Sequence, residues 1–245
     1  MRPQGQGGGL PTWAWVALAL AIATVVGGVL VAASKYGADS TPRPEVEASG
    51  ELAFSDEVNA LFAGIPQDGT SLGDPDAPVT LVEYADLQCP FCAEWAENAL
   101  PAYVNDYVRE GSLRIEFRPL AFLGSDSEKA AHVALAAGEQ NKLWNVIELM
   151  YRNQGGENVG WVSEDFLAAL GRSIPGLDGD AMLAEAQGDG PSTALQRSID
   201  EANERDIDST PSFLLGPTGG TLDEVKPDSL DADGLRDQIE ELVNS

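Results

Sequence analysis

The chain has 245 residues and carries 40 acidic against 14 basic side chains, a formal net charge of −26. So acidic a balance excludes a nucleic-acid partner, whose phosphates it would repel. Hydrophobic residues make up 43% of the chain, enough for one sizeable folded domain with attachments.

Residues 1–11 are rich in Gly and Gln and read as a disordered tail. Trp13 to Ala33 is an uncharged run rich in Ala, Val and Leu. Its length is about that of a bilayer core, roughly 20 residues. Residues 12–34 are therefore read as an uncleaved transmembrane anchor, with Trp13, Trp15 and Tyr36 at the interfaces. Two alternatives stand beside it. One is a cleaved signal peptide, for which Val31-Ala32-Ala33-Ser34 offers small residues. The other is a buried core helix, although no polar face marks one. With an anchor or a signal, the remainder is exported to a compartment where disulfides persist. The expected location is the cell membrane, single-pass, with the C-terminal domain extracytoplasmic.

Residues 35–69 read as a linker followed by a short amphipathic helix, with Leu52, Val58, Leu61 and Phe62 as its apolar members. Gly64 to Pro78 reads as a loop. Val79 to Tyr84 has the compact apolar, β-branched pattern of a central parallel strand. After Cys92 apolar residues fall at helical spacing through Val108, and Pro101 is expected to kink that helix. Leu113 to Phe117 alternates as a strand does.

From 125 to 206 only helices are expected. They cover 127–140 and 143–152, a segment capped by Ser163 with Glu164 and Asp165 in its first turn, and short helices from Asp180 and Ser192. Of the second of these, Leu143, Val146, Ile147 and Met150 form one apolar face. Strands at 212–215 and 221–225 flank a Gly-rich turn, and a last helix covers 235–243. The fold class is α/β, a sheet split by an all-helical insertion over about 125–206 within a domain spanning 70–245.

Cys89 and Cys92 are the whole thiol content, joined as Cys89-Pro90-Phe91-Cys92. A C-x-x-C between a strand and a helix points to thiol–disulfide exchange. At a helix N-terminus the free N–H groups and the dipole stabilise a Cys89 thiolate, the reactive form. Pro90 suits the first helical position because it has no N–H to leave unpaired. Cys92, one turn in, is expected to be more buried and to act as the resolving thiol. A zinc half-site lacks further ligands, since the chain has one histidine, His132, read as a surface or packing residue. No metal is expected, and no other cofactor. An inert disulfide would close too small a loop to stabilise much. Glu83, six residues before Cys89, is either a partly buried carboxyl that exchanges the Cys92 proton through water or a strand-end carboxylate in solvent. Thr210-Pro211, just before a strand, suggests a cis bond.

These residues resemble the DsbA-like thiol:disulfide oxidoreductases of the thioredoxin superfamily, especially their membrane-anchored bacterial branch. The likeness rests on Gly73 to Cys92 (GDPDAPVTLVEYADLQCPFC), on Asn141-Lys142-Leu143-Trp144 and on Asp208 to Phe213. It implies a thioredoxin-like fold whose helical insertion caps the cysteines. It also implies that Thr210 and Pro211 form a cis-proline loop against Cys89, where the backbone of residue 210 pairs with an extended substrate. Glu83 matches the family's buried acid. Ser209 departs from the Gly of many relatives, and Phe91 from the His of some strongly oxidising ones. The implied activity is a membrane-tethered oxidase of cysteine-containing exported proteins, recharged by a quinone-linked membrane oxidase. Its rivals are a reductase or isomerase kept reduced by a membrane electron donor, and a non-redox binding module or chaperone.

Overall fold

The structure, a computed structural model, describes residues 50–245. The expected tail, the expected transmembrane anchor and the expected linker up to residue 49 lie outside the described residues. Among the described residues no helix is long and apolar enough to cross a membrane.

Helix α1 (Ser55–Phe62) leads into a six-stranded sheet of order β1-β2-β4-β3-β5-β6. Strand β3 (Val79–Ala85) is central, parallel to β4 (Leu113–Pro119) and antiparallel to β5 (Ser212–Pro217). All seven of its residues are buried, which explains why it is apolar on both faces apart from Thr80 and Glu83. Val79, Leu81 and Ala85 join the main core, while Val82 and Tyr84 pack on the opposite face with Ala202 and Ile207. By this alternation Glu83 faces the main core. The loop expected over 64–78 instead contains two strands, β1 (Gln67–Asp68) and β2 (Ser71–Leu72). Two residues are too few to display a period, so no pattern betrays them. At the far edge β6 (Asp223–Val225) is shorter than expected.

Helix α2 (Pro90–Asn98) starts directly after Cys89, and α3 (Leu100–Tyr103) follows with Pro101 in its first turn. The ring at Pro101 cannot donate to the preceding turn, so the helix is interrupted at Ala99 rather than bent within one continuous helix. It ends in a π turn over Val104–Val108. The insertion is helical throughout: α4 (Ser125–Gly138), α5 (Leu143–Arg152), α6 (Glu164–Ser173), α7 (Gly179–Glu185) and α8 (Asp189–Glu204). At 16 residues α8 is not short. Gly190 and Pro191 hide its start in the sequence, yet Pro is tolerated in a first turn. Helix α9 (Arg236–Val243) closes the chain.

Ser163 caps α6, its Oγ accepting the Phe166 N–H at 3.2 Å. Ser163→Ala is expected to lower stability by about 1 kcal/mol in urea unfolding, because that N–H then loses its partner. Trp144 is fully buried, and its indole N–H donates to the Thr70 carbonyl at 3.2 Å, tying α5 to the sheet edge.

Candidate active site

Beyond β3 the chain makes a tight turn. The Cys89 N–H donates to the Asp86 carbonyl at 2.9 Å, and the Gln88 N–H donates to Asp86 Oδ1 at 2.9 Å. The Asp86 carboxylate also accepts from Ser127 Oγ at 2.6 Å and from the Leu123 N–H at 3.1 Å. Gln88 donates to Ser127 Oγ and accepts from the Asn158 N–H at 2.7 Å. Gln154 donates to the carbonyls of Leu87 and Cys89 at 3.0 and 3.2 Å. The helical insertion thus grips the cysteine turn through a buried polar network. Asp86, Gln88, Ser127 and Gln154 went unrecognised as site residues in the sequence. Only the spacing of Asp86 and Gln88, which suits an Asx turn, was available as a signal.

Cys89 is the N-cap residue of α2, with Pro90 at the helix start, and both cysteines are free thiols. Cys89 is 5% exposed and Cys92 not at all. The two side chains titrate in opposite directions. A hydrogen bond from the Cys92 thiol, opposed by burial and aided by Thr210 and the N–H groups of Cys92 and Phe91, brings Cys89 down to about 6. Burial pushes Cys92 well up, and the Cys89 sulfur and the Glu83 charge push it further.

The Thr210-Pro211 bond is cis. The Cys89 Sγ lies 3.4 Å from the Thr210 carbonyl, to which its thiol donates. Phe91 is 59% exposed beside the reactive sulfur. Phe122 and Val159 are also exposed, each next in sequence to a residue that hydrogen-bonds the turn, Leu123 and Asn158.

Glu83 does not reach solvent: it is 1% exposed, and its Oε1 has no hydrogen-bond partner. Its neighbours in register are Phe117 on β4 and Phe213 on β5, so the adjacent strands bring it no counter-charge. Burial first, then Glu148, then Cys89 hold its carboxyl far above the usual range.

His132 lies away from the thiols. It lines a groove of 960 Å³ with Lys129, Leu167 and Leu183 that includes neither cysteine. Among the described residues no cluster of three or more His, Cys, Asp or Glu is arranged to hold a metal ion.

A family model described as Thioredoxin matches residues 67–240. The chain belongs to the thioredoxin family. Within it the chain is similar to the probable disulfide bond formation protein D of Bacillus cereus, 28% identical over 175 residues, which are 68% of this chain and 80% of that one. The oxidised crystal structure of BdbD from Bacillus subtilis superposes with a TM-score of 0.63 at 19% identity, covering 84% of this chain and 98% of that one. DsbA2 of Pseudomonas aeruginosa, at 25% identity and a TM-score of 0.55, covers 73% of this chain and 96% of its own. This thioredoxin-family chain is a DsbA-like thiol:disulfide oxidoreductase.

Proposed function

We propose that the protein is a membrane-tethered, extracytoplasmic oxidase that delivers disulfides to exported proteins through Cys89 and Cys92. The observation that carries this reading is the opposed titration of the two thiols, Cys89 near 6 and Cys92 well above the ordinary range. A stabilised Cys89 thiolate favours the reduced form of the pair, and a couple whose reduced form is stabilised is oxidising. The uncharged run Trp13 to Ala33 supports the tether.

In the forward reaction a substrate thiolate attacks Cys89 Sγ of the oxidised pair. The Cys89–Cys92 bond breaks, its electron pair leaves on Cys92, and Cys92 takes up a proton. A second substrate thiolate attacks the substrate sulfur of the mixed disulfide, forming the substrate disulfide and releasing Cys89 as a thiolate. The backbone of Thr210 offers a pairing edge for an extended segment, and exposed Phe91 offers it an apolar contact. A membrane redox partner, a quinone-linked oxidase, then withdraws two electrons and restores the disulfide.

The test is the reduction potential of the pair against glutathione. A value more oxidising than about −200 mV is expected, whereas one near that of thioredoxin, about −270 mV, would replace the oxidase with a reductase or isomerase. Cys92→Ala in cells is expected to accumulate mixed disulfides on Cys89 with exported proteins; a lack of such adducts would remove the exported substrates.

A further inference from the structure

Among the described residues only two carboxyl oxygens are buried without a hydrogen-bond partner, Glu83 Oε1 and Glu148 Oε2. Glu148 lies on α5, the helix packed against α2, which carries Cys92. It is fully buried, although the apolar periodicity of α5 gave it no place in the core. Its other oxygen accepts from Arg152 Nε at 2.9 Å. Arg152 is 22% exposed and lies over the half-exposed ring of Phe54, so this ion pair runs from the core to the surface. An isolated buried carboxyl costs several kcal/mol in principle, and a second one beside it adds to that cost. Packing has no need of either.

We propose that Glu83 and Glu148 act as one buried acid pair that supplies and withdraws the Cys92 proton, with Glu148 as the positioning residue linking Glu83 to solvent beside Arg152. This rests on the exchange chemistry above. When the Cys89–Cys92 bond breaks, the Cys92 thiolate takes its proton from Glu83 through water. Water likewise relays a proton from Glu148 to Glu83, and Glu148 recovers its own from solvent beside Arg152; on reoxidation the proton retraces the route.

Electrostatics links the groups along that route. Burial raises Glu148 to about 7, against the pull of Arg152 and with a further push from Glu97. Burial also raises Glu83 and Cys92; the charge of Glu148 adds to the rise of Glu83, and the charge of Glu83 to that of Cys92. The charged and titratable groups around the pair are Cys89, Cys92 and Glu97 from the cysteine turn and α2, and Tyr151 and Arg152 from α5 itself. Helices α1 and α4 also pack on α5; Asp56, Glu57, Glu128 and Lys129 on them are exposed, His132 lines the separate groove, and the buried Asp126 carboxylate accepts from the Gly160 N–H at 2.8 Å.

The test is carboxyl titration by carbon-13 NMR of the glutamate-labelled, reduced full-length protein. Glu148→Gln is expected to lower the Glu83 midpoint by about one pH unit, and Arg152→Gln to raise the Glu148 midpoint by a similar amount. Mere loosening of the core would not drive the two in opposite directions. With a reduced cysteine peptide as substrate, Glu148→Gln is expected to slow exchange about tenfold at pH 8 and little at pH 5. A Glu83 midpoint unmoved in Glu148→Gln overturns the pair. If Glu148→Gln does not fold, an unmoved Glu148 midpoint in Arg152→Gln does so. A wild-type protein that exchanges no disulfides while its midpoints move as stated overturns the exchange reading and leaves the acid pair standing.

Discussion

Replacing Cys89 with serine is expected to abolish thiol–disulfide exchange, a loss of at least about a thousandfold, since a serine alkoxide is not available at neutral pH. The argument turns on ionisation as much as on the atom lost. With Cys89 titrating at about 6, some 90% of it is thiolate at pH 7, against a few per cent for an ordinary cysteine. Iodoacetamide at pH 7 is therefore expected to alkylate Cys89 quickly and to leave buried Cys92 untouched, with a rate that rises through pH 6 and then levels. A midpoint near 8.5 would mean that the hydrogen bonds from Cys92, Thr210 and the first turn of α2 do not reach the sulfur. Thr210→Ala removes one of those bonds and is expected to shift the alkylation midpoint upward while preserving the order of the two cysteines.

The chemistry was legible because it is local. Cys89, Pro90 and Cys92 sit within one turn, and a proline after a capping residue announces a helix start. Strand β3 was legible because a strand covered on both faces must be apolar throughout, which makes the one carboxyl in it, Glu83, conspicuous. What could not be read is what depends on partners distant in sequence. Asp86 meets Ser127, Gln88 meets Asn158, and Gln154 returns to Leu87 and Cys89, each across dozens of residues. Beyond the Asx spacing to Gln88, nothing near Asp86 in the chain foretells which distant groups its carboxylate will gather.

Glu148 was hidden for a different reason. One apolar face on α5 suggests a helix with a wet side, but every residue from Leu143 to Tyr151 is buried. The insertion covers the side expected to meet water. Helix α8 keeps a wet side and was hidden only at its start, where a long amphipathic pattern begins behind a Gly-Pro pair that resembles a loop.

Glu83→Gln is expected to stabilise the reduced protein in a pH-dependent way while impairing its chemistry. The folded state holds the Glu83 proton far above the ordinary value of 4.5, chiefly because of burial. Unfolded, the same carboxyl gives up its proton near 4.5. Between that pH and the folded midpoint the native state binds more protons than the unfolded one, so stability falls as pH rises, by up to about 1.4 kcal/mol per pH unit. Glutamine has no proton to lose and removes this slope. Urea unfolding of wild type and variant is thus expected to differ little at pH 4, with the variant ahead by a margin that widens through neutral pH. A margin independent of pH would place the Glu83 titration in the ordinary carboxylate range and take with it the reason to regard this residue as a proton donor. The direction is informative because selection for stability alone would favour glutamine, or an apolar side chain matching Phe117 and Phe213 on either side. A carboxyl kept neutral by burial at the foot of the cysteine turn is destabilising for the same physical reason that it can protonate a departing Cys92 thiolate.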